Sequence, residues 1–104
     1  MAILDKFRLD GQVAVITGAG KGIGAGIARA FAEAGADVVL AARTEADLQR
    51  VAADVEACGQ RAVIEVTDVL QFDQLKRLDD GAMAQFGRID IVVNNAGGFP
   101  PKPV

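Results

Sequence analysis

The fold of this chain is decided by the stretch VAVITGAGKGIG, residues Val13 to Gly24. Its first four residues are apolar without interruption, as in a strand that is buried on both faces. Four glycines then alternate through positions 18–24, and residues 25–34 have the composition of a helix. Because glycine lacks a β-carbon, its backbone reaches dihedral angles closed to other residues and can lie against a ligand. A strand, a glycine-rich turn and a helix in this order predict a phosphate-binding loop.

The spacing of the glycines narrows the kind of loop. The dinucleotide pattern G-x-G-x-x-G/A is met only as Gly20, Gly22 and Ala25, and the P-loop pattern fails because Gly22 stands where Ser or Thr is required. The better description is T-G-x-x-x-G-x-G, running from Thr17 to Gly24. Glycines also permit tight packing of a helix on a strand, but four in seven residues exceed what packing needs. The loop therefore predicts nucleotide binding.

The composition is that of one small globular domain and excludes several kinds of site. The 104 residues are 51% hydrophobic and 24% charged, with a net charge of −3, which offers no electrostatic footprint for nucleic acid. No apolar run approaches membrane-spanning length and the N-terminus lacks a signal-peptide core, so we expect a cytoplasmic protein without membrane contact. The sequence contains no His, Ser, Tyr or Trp, which removes histidine metal sites and the usual catalytic bases. We predict no catalytic and no metal-binding residue.

The single cysteine, Cys58, can form neither a disulfide nor a cysteine metal cluster within the chain. It stands near the end of a predicted helix. We expect a small buried or half-buried side chain there rather than a nucleophile.

Hydrophobic periodicity and glycine boundaries predict alternating strands and helices. The predicted strands cover residues 13–17, 37–42, 61–66 and 89–93, and the predicted helices cover residues 23–34, 45–57 and 72–86. The second helix is expected to begin with a capping box from Thr44 to Asp47. The expected buried stripe of the first helix consists of Ile27, Ala30, Phe31 and Ala34. This β-α-β-α-β-α-β order with short connections predicts a parallel sheet with right-handed crossovers.

Polar residues and glycines follow all four predicted strands. Ligands of open parallel sheets bind beyond the carboxyl ends of the strands. Each of these residues also has an ordinary explanation, since Asp68 suits a helix cap, Arg43 a solvated charge and Asn94-Asn95 a turn. Their joint placement at one edge of the sheet favours a binding site. They are Thr17-Gly18, Ala42-Arg43, Asp68-Val69 and Asn94-Asn95-Ala96-Gly97.

These motifs resemble those of the short-chain dehydrogenase/reductase family, over all 104 residues. The T-G-x-x-x-G-x-G motif from Thr17 is followed 77 residues later by Asn94-Asn95-Ala96-Gly97, as in the N-terminal half of that family. The resemblance implies an α/β, Rossmann-type parallel sheet with flanking helices, of which the first four strands are present in the order 3-2-1-4. Residues 1–98 would form the dinucleotide-binding half-domain and the Pro-rich residues 99–104 a loop or tail. The ending is similar to that of the hydroxysteroid dehydrogenase-like branch.

The resemblance also implies roles for individual residues. Asp68 would bond the adenine amino group, Val69 would line the adenine, and Asn94 would tie neighbouring strands together. The residues implied to hold the cofactor pyrophosphate are Gly18, Gly20, Lys21, Gly22, Ile23 and Gly24. Those implied to contact its ribose are Asn95, Ala96 and Gly97.

The end of the second strand predicts NADP as the cofactor, with NAD as the alternative. NAD-preferring sites of this fold place an acid there, about 20 residues beyond the glycine loop, to bond the ribose 2′-hydroxyl. Here Ala42 and Arg43 occupy that position, and Lys21 projects from the loop beside them. Two cations and no carboxylate favour a 2′-phosphate.

The family's catalytic groups have no counterpart in this sequence. They are a further Asn, a Ser and a Tyr-x-x-x-Lys pair, and the chain contains neither Ser nor Tyr. We therefore expect the NADP-binding portion of an alcohol/carbonyl oxidoreductase, truncated before its catalytic half and inactive alone. A stand-alone nucleotide-binding or interaction module and a non-functional remnant stay open as alternatives. We also expect the edge of the fourth strand to self-associate or to be covered by a missing C-terminal half.

Overall fold

The chain forms a four-stranded parallel sheet with a helix after each of the first three strands, in a computed structural model that describes residues 8–66 and 72–95. The strands are β1 (Val13–Thr17), β2 (Asp37–Ala42), β3 (Ala62–Val66) and β4 (Ile91–Asn94), and the helices are α1 (Gly22–Glu33), α2 (Glu45–Ala57) and α3 (Phe72–Phe86). The strands lie in the order β3-β2-β1-β4 and all pair in parallel, which confirms the predicted fold. The predicted bounds of β1, β2, α2 and α3 are confirmed. Strand β3 begins one residue later than predicted, and strand β4 begins two residues later.

Helices cover both faces of the sheet, and this explains why β1 and β2 are apolar without alternation. On one face, Ile16 and Leu40 share a buried cluster with residues of α1 and α2. On the opposite face, Val15 and Val39 share a second cluster with Leu78 of α3. The sheet is thereby packed between two helical layers.

The buried stripe of α1 differs from the predicted one. Its core-facing side chains are Ala25, Ala28 and Ala32, whereas Ala30 is exposed. Ile27 and Phe31 are only half-buried at the margin of the same cluster, as is Ala34 at the helix end. The prediction was wrong because it assigned the large apolar residues to the core. A helix that packs closely on a sheet buries its smallest side chains at the point of contact, and the larger ones flank them.

The two ends of α2 also depart from expectation. Thr44 occupies the N-cap position, but its side chain makes no capping hydrogen bond, so the capping box is not formed. Cys58, the C-cap residue, is exposed rather than buried. The inward-facing positions of α2 end at Val55, and Gly59, with a φ of +86°, turns the chain towards β3.

Some predictions concern residues outside the described ranges. They are the roles of Asp68, Val69, Ala96 and Gly97 and the Pro-rich tail at 99–104. Within residues 8–66 and 72–95, no helix combines the length and apolar character needed to cross a bilayer.

Candidate functional site

The hydroxyl of Thr17 joins the carboxyl ends of β1 and β4. It donates to the Val93 carbonyl oxygen at 3.3 Å or to the Asn94 side-chain oxygen at 3.1 Å, and it accepts from the Asn95 amide at 2.9 Å. Thr17 is only 4% exposed, so these bonds satisfy groups that water cannot reach. The expectation that Asn94 ties neighbouring strands together is confirmed.

The glycine-rich loop, residues 18–24, needs glycine for two separate reasons. Gly18 and Gly22 have φ angles of +63° and +58°, in the left-handed region that other residues rarely adopt. At Gly24 the reason is space, because a β-carbon there would overlap the Gly18 carbonyl oxygen and lie 2.7 Å from Nδ2 of Asn95. Asn95 Nδ2 itself donates to the Gly18 oxygen at 3.4 Å. The start of α1 is thus packed directly on the ends of β1 and β4.

The first turn of α1 presents backbone donors that no described residue accepts from. Lys21 is the N-cap residue and makes no side-chain capping bond. The amides of Gly22, Ile23 and Gly24 donate to no acceptor among the described residues. Such amides, at the positive end of the helix dipole, suit an anionic group such as a phosphate. The Ile23 side chain beside them is 74% exposed, so it is available for contact with a ligand.

A buried carboxylate lies next to this loop. Asp47, whose side chain is 13% exposed, binds Arg50 with 2.6 Å between Oδ1 and Nη2 and Lys21 with 3.7 Å between Oδ2 and Nζ. The hydrogen bond from Arg50 lowers the pKa of the Asp47 carboxyl; burial opposes this shift, and the charge of Lys21 adds to it. Asp47 is therefore ionised at neutral pH. We call these three residues the Asp47 cluster.

The position of Asp47 corrects one premise of the cofactor prediction. A β-carbon on Gly20 would lie 2.9 Å from Cβ of Asp47 and 3.8 Å from Cβ of Ala42. Gly20 of the loop therefore lies within contact distance of both Asp47 and the end of β2, so a carboxylate is present where the sequence was expected to place none. Arg43, at the same edge, is exposed and makes no ion pair with any described residue.

The structure brings some of the predicted site residues into contact. Gly18, Gly24 and Asn95 are in contact, and Lys21 is drawn towards Asp47. Asp47 and Arg50 are the residues that sequence reasoning missed. The only sequence signal for Asp47 was its position three residues after Thr44. That spacing indicated a helix cap rather than a partner for the glycine loop.

Comparison with known proteins identifies the family. The family model described as short chain dehydrogenase matches residues 12–104. The chain belongs to the short-chain dehydrogenase family. An uncharacterised oxidoreductase of Mycobacterium tuberculosis is 52% identical to this chain over 100 residues, which make up 96% of the chain and 38% of that protein.

Solved structures of the family match the fold closely. A 7α-hydroxysteroid dehydrogenase complexed with NADH and 7-oxo glycochenodeoxycholic acid has a TM-score of 0.89 and 43% identity, covering 99% of this chain and 40% of its own. A metagenomic short-chain oxidoreductase in complex with NADP has a TM-score of 0.81 and 43% identity, covering 89% of this chain and 44% of its own. The chain thus spans about two fifths of the length of these relatives. The two solved relatives hold different dinucleotides, so likeness alone does not choose between them.

Proposed function

We propose that this chain binds the adenosine and pyrophosphate part of a nicotinamide dinucleotide, within an oxidoreductase that acts on alcohols or carbonyl compounds. The observation that carries the proposal is the contact of Gly24 with Gly18 and Asn95, which brings the start of α1 against the ends of β1 and β4 with no side chain from Gly24 between them. The amides of the first helical turn, which have no acceptor in residues 8–66 and 72–95, begin there. A pyrophosphate has the charge and the acceptors that this cradle suits.

The proposed roles follow from position. The amides of the glycine loop hold the pyrophosphate, and Ile23 lies against the cofactor. Asn95 contacts the ribose of the cofactor and also holds Gly18 in place. Asp68 and Val69 at the adenine, and Ala96 and Gly97 at the ribose, are proposed from family resemblance. When bound, the nicotinamide exchanges a hydride with the substrate carbon.

The proposed cofactor is NADP rather than NAD. Lys21 and Arg43 are exposed cations beside the end of β2, and a 2′-phosphate adds two negative charges that NAD lacks. Calorimetric titration of the 104-residue chain with NADPH and with NADH should give tighter binding of NADPH. In a variant carrying Ala42→Asp and Arg43→Ile, the order of the two affinities should invert.

A matched pair of variants separates a local effect from net charge. Arg43→Gln and Arg29→Gln each remove one positive charge, and Arg29 pairs with Asp54 instead of facing the loop. Only Arg43→Gln should weaken NADPH binding. Tighter binding of NADH by the unmodified chain contradicts the cofactor preference, and binding of neither dinucleotide contradicts the proposed function.

We further propose that the 104 residues alone do not turn over substrate. Hydride transfer to a carbonyl needs a proton donor at the substrate oxygen. The chain contains no Ser or Tyr that could act as this donor. NADPH oxidation with a panel of ketones, including oxo-steroids, should show no turnover. A reading frame that continues beyond residue 104 into a Tyr-x-x-x-Lys segment would favour the oxidoreductase over a nucleotide-binding module without catalysis. Sustained turnover by the chain alone would contradict the proposal.

A further inference from the structure

We propose that Asp47 is a specificity-determining residue, whose carboxylate competes with the cofactor's 2′-phosphate for Lys21 and so limits the preference for NADP over NAD. The inference rests on the proposed dinucleotide site. It adds a residue on α2 to a site otherwise built from the ends of the strands and the glycine loop.

The first support is the placement of the carboxylate. Asp47 is held under the loop, because its β-carbon lies where a side chain on Gly20 would have to fit and because Arg50 fixes Oδ1 at 2.6 Å. Only 13% of the Asp47 side chain is exposed, against 80% for Lys21. The carboxylate is therefore the stationary member of the pair, and the lysine is the member that can move.

The second support is the unequal strength of the two ion pairs. Arg50 binds Asp47 at hydrogen-bond distance, whereas Nζ of Lys21 stands 3.7 Å away from Oδ2. A long contact to a largely exposed lysine is weak and readily exchanged. A dianionic phosphate near the end of β2 would draw the Lys21 ammonium away from Asp47, at the expense of that contact.

The third support is the sum of the charges. Lys21 and Arg50 carry two positive charges beside the single negative charge of Asp47. Through its ion pair with Lys21, Asp47 weakens the attraction of that lysine for a 2′-phosphate. It has no such effect on the 2′-hydroxyl of NAD, which carries no charge, so the carboxylate shifts the ratio of the two affinities.

The test is the ratio of the dissociation constants for NADH and NADPH, measured by calorimetric titration of the 104-residue chain and its variants. Asp47→Asn keeps the β-carbon that packs on Gly20 and removes the charge. It should raise the ratio about fivefold, in line with a surface charge pair, mainly by tightening NADPH. Asp47→Glu restores the charge and should return the ratio towards that of the unmodified chain.

Asp54→Asn is the matched control. Asp54 lies on the same helix and binds an arginine, Arg29, at the same 2.6 Å, but it is seven residues from Asp47, about 10 Å along the helix. Its replacement should leave the ratio unchanged. In a Lys21→Gln background the effect of Asp47→Asn should largely disappear, because coupling through the lysine is what the inference requires.

The outcomes separate this inference from the proposed function. An unchanged or lowered ratio for Asp47→Asn overturns the inference, even when the unmodified chain binds NADPH. A raised ratio supports it, even when the unmodified chain prefers NADH. If Asp47→Asn does not fold, Asp47→Ser replaces it under the same criterion. Binding of neither dinucleotide by the unmodified chain overturns both the function and the inference.

Discussion

The carbonyl oxygen of Gly18 occupies the space that a β-carbon on Gly24 would need. The obstacle is backbone, which cannot rotate away as a side chain can. We expect Gly24→Ala to destabilise the chain by about 3 kcal/mol, at the upper end for an overpacked site, and to abolish dinucleotide binding. Urea unfolding and cofactor titration measure the two effects.

Gly26→Ala is the control for that substitution. Gly26 lies two residues further along α1, and nothing comes within 4 Å of its hypothetical β-carbon. Alanine is the better helix former, so this variant should be more stable by about 0.5–1 kcal/mol and should bind the cofactor as before. Equal losses in both variants would mean that helix α1, rather than the contact with Gly18, sets the requirement for glycine.

Thr17→Val tests the hydroxyl that joins β1 to β4. Valine has nearly the same shape but leaves the Asn95 amide without its acceptor at the end of the sheet. Because this amide is only part-buried, we expect a fall of about 1 kcal/mol in the free energy of unfolding, the lower end of the range for an unsatisfied buried donor. Thr17→Ser retains the hydroxyl and should lose less. The idea fails if the valine variant is as stable as the serine one.

The carboxylate of Asp90 makes the stability of the fold vary with pH in the acid range. Hydrogen bonds from Arg88, at 2.6 and 2.8 Å, and from the Val13 amide, at 2.8 Å, lower the pKa of Asp90 from its ordinary value of 3.8. Because the folded pKa is depressed, this contribution to stability is complete above pH 3.8 and is lost as the pH falls through the folded value. Asp90→Asn should therefore lower stability at pH 7, and the difference from the unmodified chain should shrink in acid.

Urea unfolding at neutral and acid pH measures this difference. Asp80→Asn serves as the control, since Asp80 is exposed on α3 and forms no ion pair with the described residues. It should change stability little at any pH. A constant difference for Asp90→Asn from neutral to strongly acid pH would contradict the assignment.

The edge of β4 predicts self-association of the isolated chain. β4 is the last strand of the described sheet on its side, and Val92 on it is 62% exposed. An apolar strand edge is a template for pairing with another chain. Sedimentation velocity should show association that increases with concentration and falls in Val92→Lys. Met83→Lys, at another exposed apolar residue on α3, should leave it unchanged, and a monodisperse monomer at high concentration would contradict the prediction.

Much of the fold could be predicted from local signals. The uninterrupted apolar runs of β1 and β2 indicated a sheet covered on both faces, and left-handed glycines such as Gly35 and Gly59 marked the helix ends. These signals are reliable because they depend on backbone geometry and on burial within a single element. The strand order 3-2-1-4 came from resemblance to a family, not from periodicity.

Packing between elements was less accessible from the sequence. The core face of α1 consists of Ala25, Ala28 and Ala32 because the helix lies close to the sheet. Hydrophobicity alone favours the larger Ile27 and Phe31 for that face. Distance between layers decides which stripe is buried, and no pattern within one helix encodes that distance.

The sequence by itself determined that a glycine loop follows the first strand and that Asn95 follows the fourth. Only the tertiary structure decided that Gly24, Gly18 and Asn95 meet, and that Asp47 reaches the loop from α2. The physical reason is that glycine spacing and apolar runs are properties of one segment. The charge environment of Lys21 is instead set by segments brought together when the sheet and its helices pack.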